Sequence, residues 1–225
     1  VKLNKFQTVL RTSQQANLPD SDEVPLQNTY KWYFDRLGKI TASKFSVALN
    51  IIKEGSKSKG KTRKAYMIEL AVERLTNTKT EGYTDKDMEW GITTEPQARC
   101  AYELDKKVQV EQVGFIEIDG MIGCSPDGLV GDDGLVEIKC PKSTTHLHTF
   151  DSGQVPAIHK AQLQGQMMVT NREWVDFVSF DPRLPLKAEY FCKRVMRDDE
   201  YIDNELRPGI EDFSKELDEL IIKLK

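Results

Sequence analysis

The spacing of hydrophobic positions along this chain changes period several times. From Thr29 to about Asn50 it is helical, broken at "GKITASKF". "AYMIELAVERL" repeats the helical period through Tyr66, Leu70 and Leu75. Residues 86–106 predict another helix, with Pro96 close to its N-terminal turn. Strands follow at about 108–118, 121–125, 128–131 and 134–139, separated by Gly and Asp turns. Helical spacing returns over 157–170, and "WVDFVSF" and "AEYFCKRVM" alternate as strands. Residues 209–225 predict an amphipathic helix with Ile210, Phe213, Leu217, Leu220, Ile221 and Leu224 on one stripe. Helices interleaved with hairpins predict an α/β (α+β) core, a central mixed β-sheet flanked by helices. Residues 1–29 are polar and weakly patterned and read as an arm or extra element, leaving 30–225 as one domain. "KEGSKSKGKTRK", residues 53–64, carries six basic side chains among Gly and Ser and reads as a loop.

Composition narrows the function classes. With 225 residues, 39% hydrophobic and 30% charged, the chain suits one globular domain, or a core with attached arms. No apolar run approaches the ~20 residues of a membrane span, and no secretory h-region appears near the start. Cysteines 100, 124, 140 and 192 form no CxxC pair and read as reduced thiols. A net charge of -4 argues against a generic nucleic-acid coat, but a local basic groove remains compatible with it.

One stretch carries chemistry. In "CSPDGLVGDDGLVEIKC", residues 124–140, Val136 and Ile138 share one strand face and Glu137 and Lys139 the other. The "GDDG" turn can fold this strand onto its predecessor, bringing Asp127 near Glu137 and Lys139. Converging carboxylates repel, and a divalent cation compensates naturally. Mg²⁺ prefers such oxygens, and a neighbouring Lys can orient water or stabilise negative charge, as phosphodiester hydrolysis requires. A surface salt-bridge cluster would give the same local pattern, so the remaining segments decide.

"PD", nine further residues and "EIK" resemble the PD-(D/E)xK nuclease signature. "WGITTEPQARCAYE" supplies Glu95 near a helix start, "KAQLQGQMMVT" sets Gln162 and Gln166 one turn apart, and "RLGKITASKF" joins Arg36 to a Thr-Ala-Ser helix start. A Ser at such an N-cap leaves backbone N–H groups for a phosphate. Together with "DPRLP" after "FVSF", these segments resemble the lambda exonuclease family of phage recombination nucleases, from about residue 30 to the C-terminal helix.

The resemblance implies a restriction-endonuclease-like PD-(D/E)xK core. Asp127 and Glu137 would hold two Mg²⁺ ions, or Mn²⁺ in their place, with the Ile138 carbonyl as a further ligand. Lys139 would position or activate the attacking water, Glu95 would act as an additional acid, and Gln162 would order the site and the scissile strand. Arg36, Ser43 and Ser125 would grip a terminal 5′-phosphate. The implied activity is 5′-to-3′ digestion of one strand of linear duplex DNA to mononucleotides, leaving a 3′ tail for recombination. The implied partners are a second and third copy in a ring-shaped homotrimer and a single-strand annealing protein. The implied location is the cytoplasm of a bacterial host, the gene belonging to a phage or prophage.

Other residues read more simply. Lys53, after the Ser43 segment, is a candidate DNA-backbone contact. His146, His148 and His159 lack spacing that fits the carboxylate site and read as solvent or loop polar groups. Trp32, Trp90 and Trp174 read as core or edge packing, with base stacking an option only for Trp32. Met167 and Met168 read as core. Alternatives are another PD-(D/E)xK endonuclease, an iron–sulfur nuclease that the unclustered cysteines disfavour, and a non-catalytic DNA-binding module.

Overall fold

The computed structural model describes residues 27, 29–50, 61–80 and 86–225. The arm up to residue 26, Lys53 and most of the basic segment lie outside the described residues. Residues 61–64, expected in that loop, instead begin a helix.

The helical stretch after Thr29 breaks into small pieces. Helix α1 is Tyr30–Asp35, strand β1 is Ile40–Thr41, a 3₁₀ turn covers Ala42–Lys44, and α2 is Phe45–Ala48. Gly38 turns the chain into β1 at φ +68°, where a side chain would collide with Arg74 Cγ. Helix α3, Lys61–Thr76, buries Tyr66, Met67, Leu70 and Ala71, while Leu75 faces outward. Helix α4 spans Lys86–Lys106, the range expected, but Pro96 and Glu95 sit near its middle rather than its start.

The strands form two sheets, where one was expected. β2 (Ile116–Ile118), β3 (Ile122–Cys124) and β1 make a small sheet in the order β1-β3-β2. β4 (Gly128–Val130), β5 (Gly134–Lys139), β6 (Trp174–Phe180) and β7 (Tyr190–Met196) make the larger mixed sheet in that order. The expected strand at 108–118 is mostly irregular, with one bridge from Glu111 to Leu129 before β2. β4 and β5 form the expected hairpin, and β5 pairs with β6 in parallel. A parallel pair needs a crossover. Here it contains helix α5 (Ser143–Ser152), a 3₁₀ turn (Ala157–His159) and helix α6 (Lys160–Thr170).

Helix α5 was not expected from the sequence. His146 is fully buried within it, with Nδ1 against Ser179 Oγ at 2.8 Å and Nε2 against the Ala188 carbonyl at 2.7 Å. It is therefore a core histidine rather than the loop group its "HLH" context suggested.

Helices cover both faces of the larger sheet. Ala98 and Tyr102 of α4 pack on Val136, Ile138, Val178 and Phe180. Leu163 and Met167 of α6 pack on Leu135, Val175 and Phe177 of the other face. Gly165 lets α6 approach α2 closely, since a Cβ there would lie 2.4 Å from the Phe45 ring. The chain ends in a short helix α7 (Asp199–Tyr201), a π turn (Ile202–Leu206) and helix α8 (Arg207–Leu224). Ile210, Phe213, Leu217 and Ile221 of α8 are buried as the stripe predicts, while Leu224 is exposed.

Candidate active site

The site forms where β4 ends and β5 continues. Ladder pairing stops at Gly128↔Val136, so the next residues of the two strands have no backbone partner across the gap. Asp127 fills it with its side chain, Oδ2 accepting the Ile138 N–H at 2.6 Å. The N–H and C=O of a strand residue point to the same side. The Ile138 carbonyl therefore faces the Asp127 side, free of any ladder partner there.

Glu137 and Lys139 share the α6 face of β5. That face is covered rather than wet, and Glu137 is only 2% exposed. Its charge is met by three donors. Lys139 Nζ and Gln162 Nε2 each lie 2.5 Å from Oε1, and Gln166 Nε2 lies 2.6 Å from Oε2. The i, i+4 spacing of the two glutamines on α6 brings both amides to the same carboxylate.

Glu95 approaches from α4, with Arg99 Nη2 at 2.5 Å from its Oε1. Burial pushes the Glu95 carboxyl up despite Arg99, and Glu137 adds to the effect. Burial, then Glu137 and Glu95, drive Asp127 well above the ordinary carboxylate range, despite Lys139 and the Ile138 N–H. Lys139 shows the converse balance: burial disfavours its charge, but Glu137 and Asp127 outweigh it and raise its pKa. Burial pushes the neighbouring Cys140 thiol up to about 12, so it is protonated at neutral pH and unsuited as a nucleophile.

The donor set fits a hard divalent ion. Asp127, Glu137 and the Ile138 carbonyl offer oxygen only, and the mutual repulsion of the carboxylates is what a cation relieves. Among the described residues, no three His, Cys, Asp or Glu side chains converge tightly enough to enclose an ion by themselves.

A cavity of about 740 Å³ opens beside these groups, lined by Glu95, Ile138, Lys139, Arg36, Tyr33 and His159 among others. The Arg36 guanidinium lies 4.1 Å from the centre of the Trp32 ring, and no carboxylate pairs with it among the described residues. Burial lowers its pKa, although a guanidinium stays charged. Ser125 Oγ accepts the Trp32 Nε1–H at 2.8 Å. Trp32 is 6% exposed, so base stacking by its ring is excluded. Ser43 sits inside the 3₁₀ turn and contacts Thr41 Oγ1 at 3.2 Å. Thr41, rather than Ser43, is the N-cap, and the turn leads only into the short α2.

The structure thus brings Asp127, Glu137, Ile138, Lys139, Glu95 and Gln162 together, with Arg36 on the adjoining cavity. Gln166, set beside Gln162 by spacing but given no role, proves to touch Glu137 directly. By sequence Trp32 reads as packing, and no local pattern links it to Ser125, 93 residues away.

The YqaJ-like viral recombinase domain model matches residues 31–173. The chain belongs to this family. It is similar to an alkaline exonuclease, LHK-Exo, from Laribacter hongkongensis: 40% identity over 87% of this chain and 96% of that one, with a TM-score of 0.77. The same protein in complex with dAMP matches 88% of this chain and 96% of that one, at 40% identity and a TM-score of 0.79. A phage-related exonuclease from Haemophilus somnus 129PT is similar in fold, at 20% identity over 83% of this chain and 96% of that one, with a TM-score of 0.64. No curated protein sequence matches the chain. The mixed sheets flanked by helices are those of PD-(D/E)xK-type exonucleases. No described helix is long and apolar enough to cross a membrane.

Proposed function

We propose that this protein is a Mg²⁺-dependent exonuclease that digests one strand of linear duplex DNA from 5′-phosphorylated ends, 5′ to 3′, to mononucleotides. The observation that carries the reading is the convergence of Asp127, Glu137 and Lys139 beside an open cavity. The 40% identity to LHK-Exo, an alkaline exonuclease also crystallised with the mononucleotide dAMP, supports the reaction class.

Asp127, Glu137 and the Ile138 carbonyl would hold the metal, with Glu95 acting from α4. When bound, divalent ions supply an activated water and neutralise the leaving oxygen. Lys139 leaves its contact with Glu137 to orient the attacking water and offset developing charge. Gln162 orders the scissile strand. Arg36 takes the terminal phosphate with its planar fork, assisted by Ser125 and Ser43. The 3′ tail left behind is the substrate of a single-strand annealing protein, and a homotrimeric ring would keep the enzyme on the duplex.

The test uses linear duplex labelled at either end of one strand, with Mg²⁺ or with EDTA, beside a closed circular plasmid. The expected result is release of labelled mononucleotide from the 5′ end first, only with Mg²⁺, and an intact plasmid. Nicking of the plasmid would show an endonuclease, and DNA binding without cleavage would show a non-catalytic module.

A further inference from the structure

Two glutamines reach Glu137 from α6, but their surroundings differ. Gln162 is half-buried and its amide shares Oε1 with Lys139. Gln166 is 1% exposed, and among the described residues its amide alone bonds Oε2. Its own Oε1 has no hydrogen-bond partner among the described residues. Gln164, between them, shows how the same helix satisfies a buried amide: its Nε2 donates to the Met196 carbonyl and its Oε1 accepts the Asp198 N–H.

A buried amide oxygen without a partner is unfavourable, and Leu or Met at 166 would avoid it. What those residues would not provide is the donor to Glu137. The amide also has one workable orientation, because turning it over would set its oxygen against the carboxylate. Lys139 lines the cavity and Gln162 is only half-buried, so both can exchange Glu137 for substrate or water. Gln166 is enclosed and has no such alternative.

We propose that Gln166 is a positioning residue that fixes the rotation of the Glu137 carboxylate, holding it in one orientation for metal while Lys139 and Gln162 change partners. This rests on the reading of Glu137 as a metal ligand. Partners of this kind, behind a ligand, characteristically change metal affinity or activity by about 10- to 100-fold.

The test is calorimetric titration of Mg²⁺ into the DNA-free protein, wild type against Gln166→Met, with melting temperature and the Mg²⁺ dependence of cleavage measured alongside. Gln166→Met should bind Mg²⁺ at least about tenfold more weakly and need correspondingly more Mg²⁺ for half-maximal cleavage, with its melting temperature near that of wild type. Gln166→Leu should behave the same way. Wild-type Mg²⁺ affinity in either folded variant overturns the proposal, since Gln166 would then only pack. Failure of both variants to fold also overturns it, as the amide would be serving the fold. If the wild type itself binds no Mg²⁺, the metal-dependent reading fails, and the positioning role with it. That result is distinguished by appearing before any substitution is made.

Discussion

The Trp32 indole N–H donates to Ser125 Oγ at 2.8 Å, and the same ring lies under the Arg36 guanidinium. One buried aromatic therefore fixes two of the groups proposed to hold the 5′-phosphate. Trp32→Phe keeps an aromatic face but removes the donor. A neutral hydrogen bond and a weakened cation–π contact together amount to about 1–2 kcal/mol. The preference for 5′-phosphate over 5′-hydroxyl duplex should fall by about tenfold. Single-turnover rates on the two substrates check this, and an unchanged ratio would separate Trp32 from end recognition.

Arg36 is the cationic member of the groups proposed to hold the phosphate. Losing one charge-assisted contact of ~1.5–3 kcal/mol predicts that Arg36→Ala slows digestion of phosphorylated ends by about 10- to 100-fold. Digestion of hydroxyl ends should change little. Equal slowing on both would mean that Arg36 serves the fold or general DNA binding.

Asp127→Ala removes a proposed ligand and also relieves the repulsion from Glu137 and Glu95. Cleavage should be abolished, while circular dichroism and binding to duplex DNA persist. Lys139→Ala should retain Mg²⁺ binding and lose about 10²-fold or more in rate at saturating metal. Mg²⁺-dependent turnover by the Asp127 variant would remove it from the site.

His159 gives a pH dependence of stability. Burial, and then the Lys139 charge, lower its pKa from 6.5 to about 4. The unfolded chain binds this proton at higher pH than the native protein does. Stability from His159 is thus fully present above pH 6.5 and is lost as pH falls toward 4. In metal-free protein, wild type should lose more stability than His159→Gln between pH 7 and pH 5, measured by urea midpoints. Parallel losses in the two proteins would show that His159 does not contribute.

Gly165 links packing to the site. A methyl there would meet the Phe45 ring at 2.4 Å, while Gln162 and Gln166 of the same helix hold Glu137. Gly165→Ala should destabilise by about 1–3 kcal/mol, despite the higher helix propensity of Ala. Its cleavage rate should fall as well, because α6 must shift. Thermal melting and a cleavage assay on the same preparation test both parts.

The hairpin of β4 and β5 was legible because it is local: alternating residues, a Gly-Asp turn and a proline before Asp127 leave one simple way to pair. The helix at 86–106 was legible from its long stretch between breakers, yet Pro96 misled, because packing of Ala98 and Tyr102 on the sheet holds the helix across it. Helix α5 was missed because "STTHLHTFDS" has little helical spacing, and its buried histidine is satisfied only by Ser179 and Ala188, far along the chain.

The sequence by itself determined the hairpin of β4 and β5, the helices over 86–106 and 209–225, the strands β6 and β7, and which side of β5 Glu137 and Lys139 share. Strand alternation and turn chemistry depend on near neighbours, so they can be read from the chain. The tertiary structure alone decided that α6 would cover that polar face, that Gln166 would be sealed against Glu137, and that Trp32 would brace Ser125. Those contacts join residues 29 and 93 positions apart. They depend on how helices settle against a sheet, through close approaches such as Gly165 on Phe45, and no local pattern of residues encodes that distance.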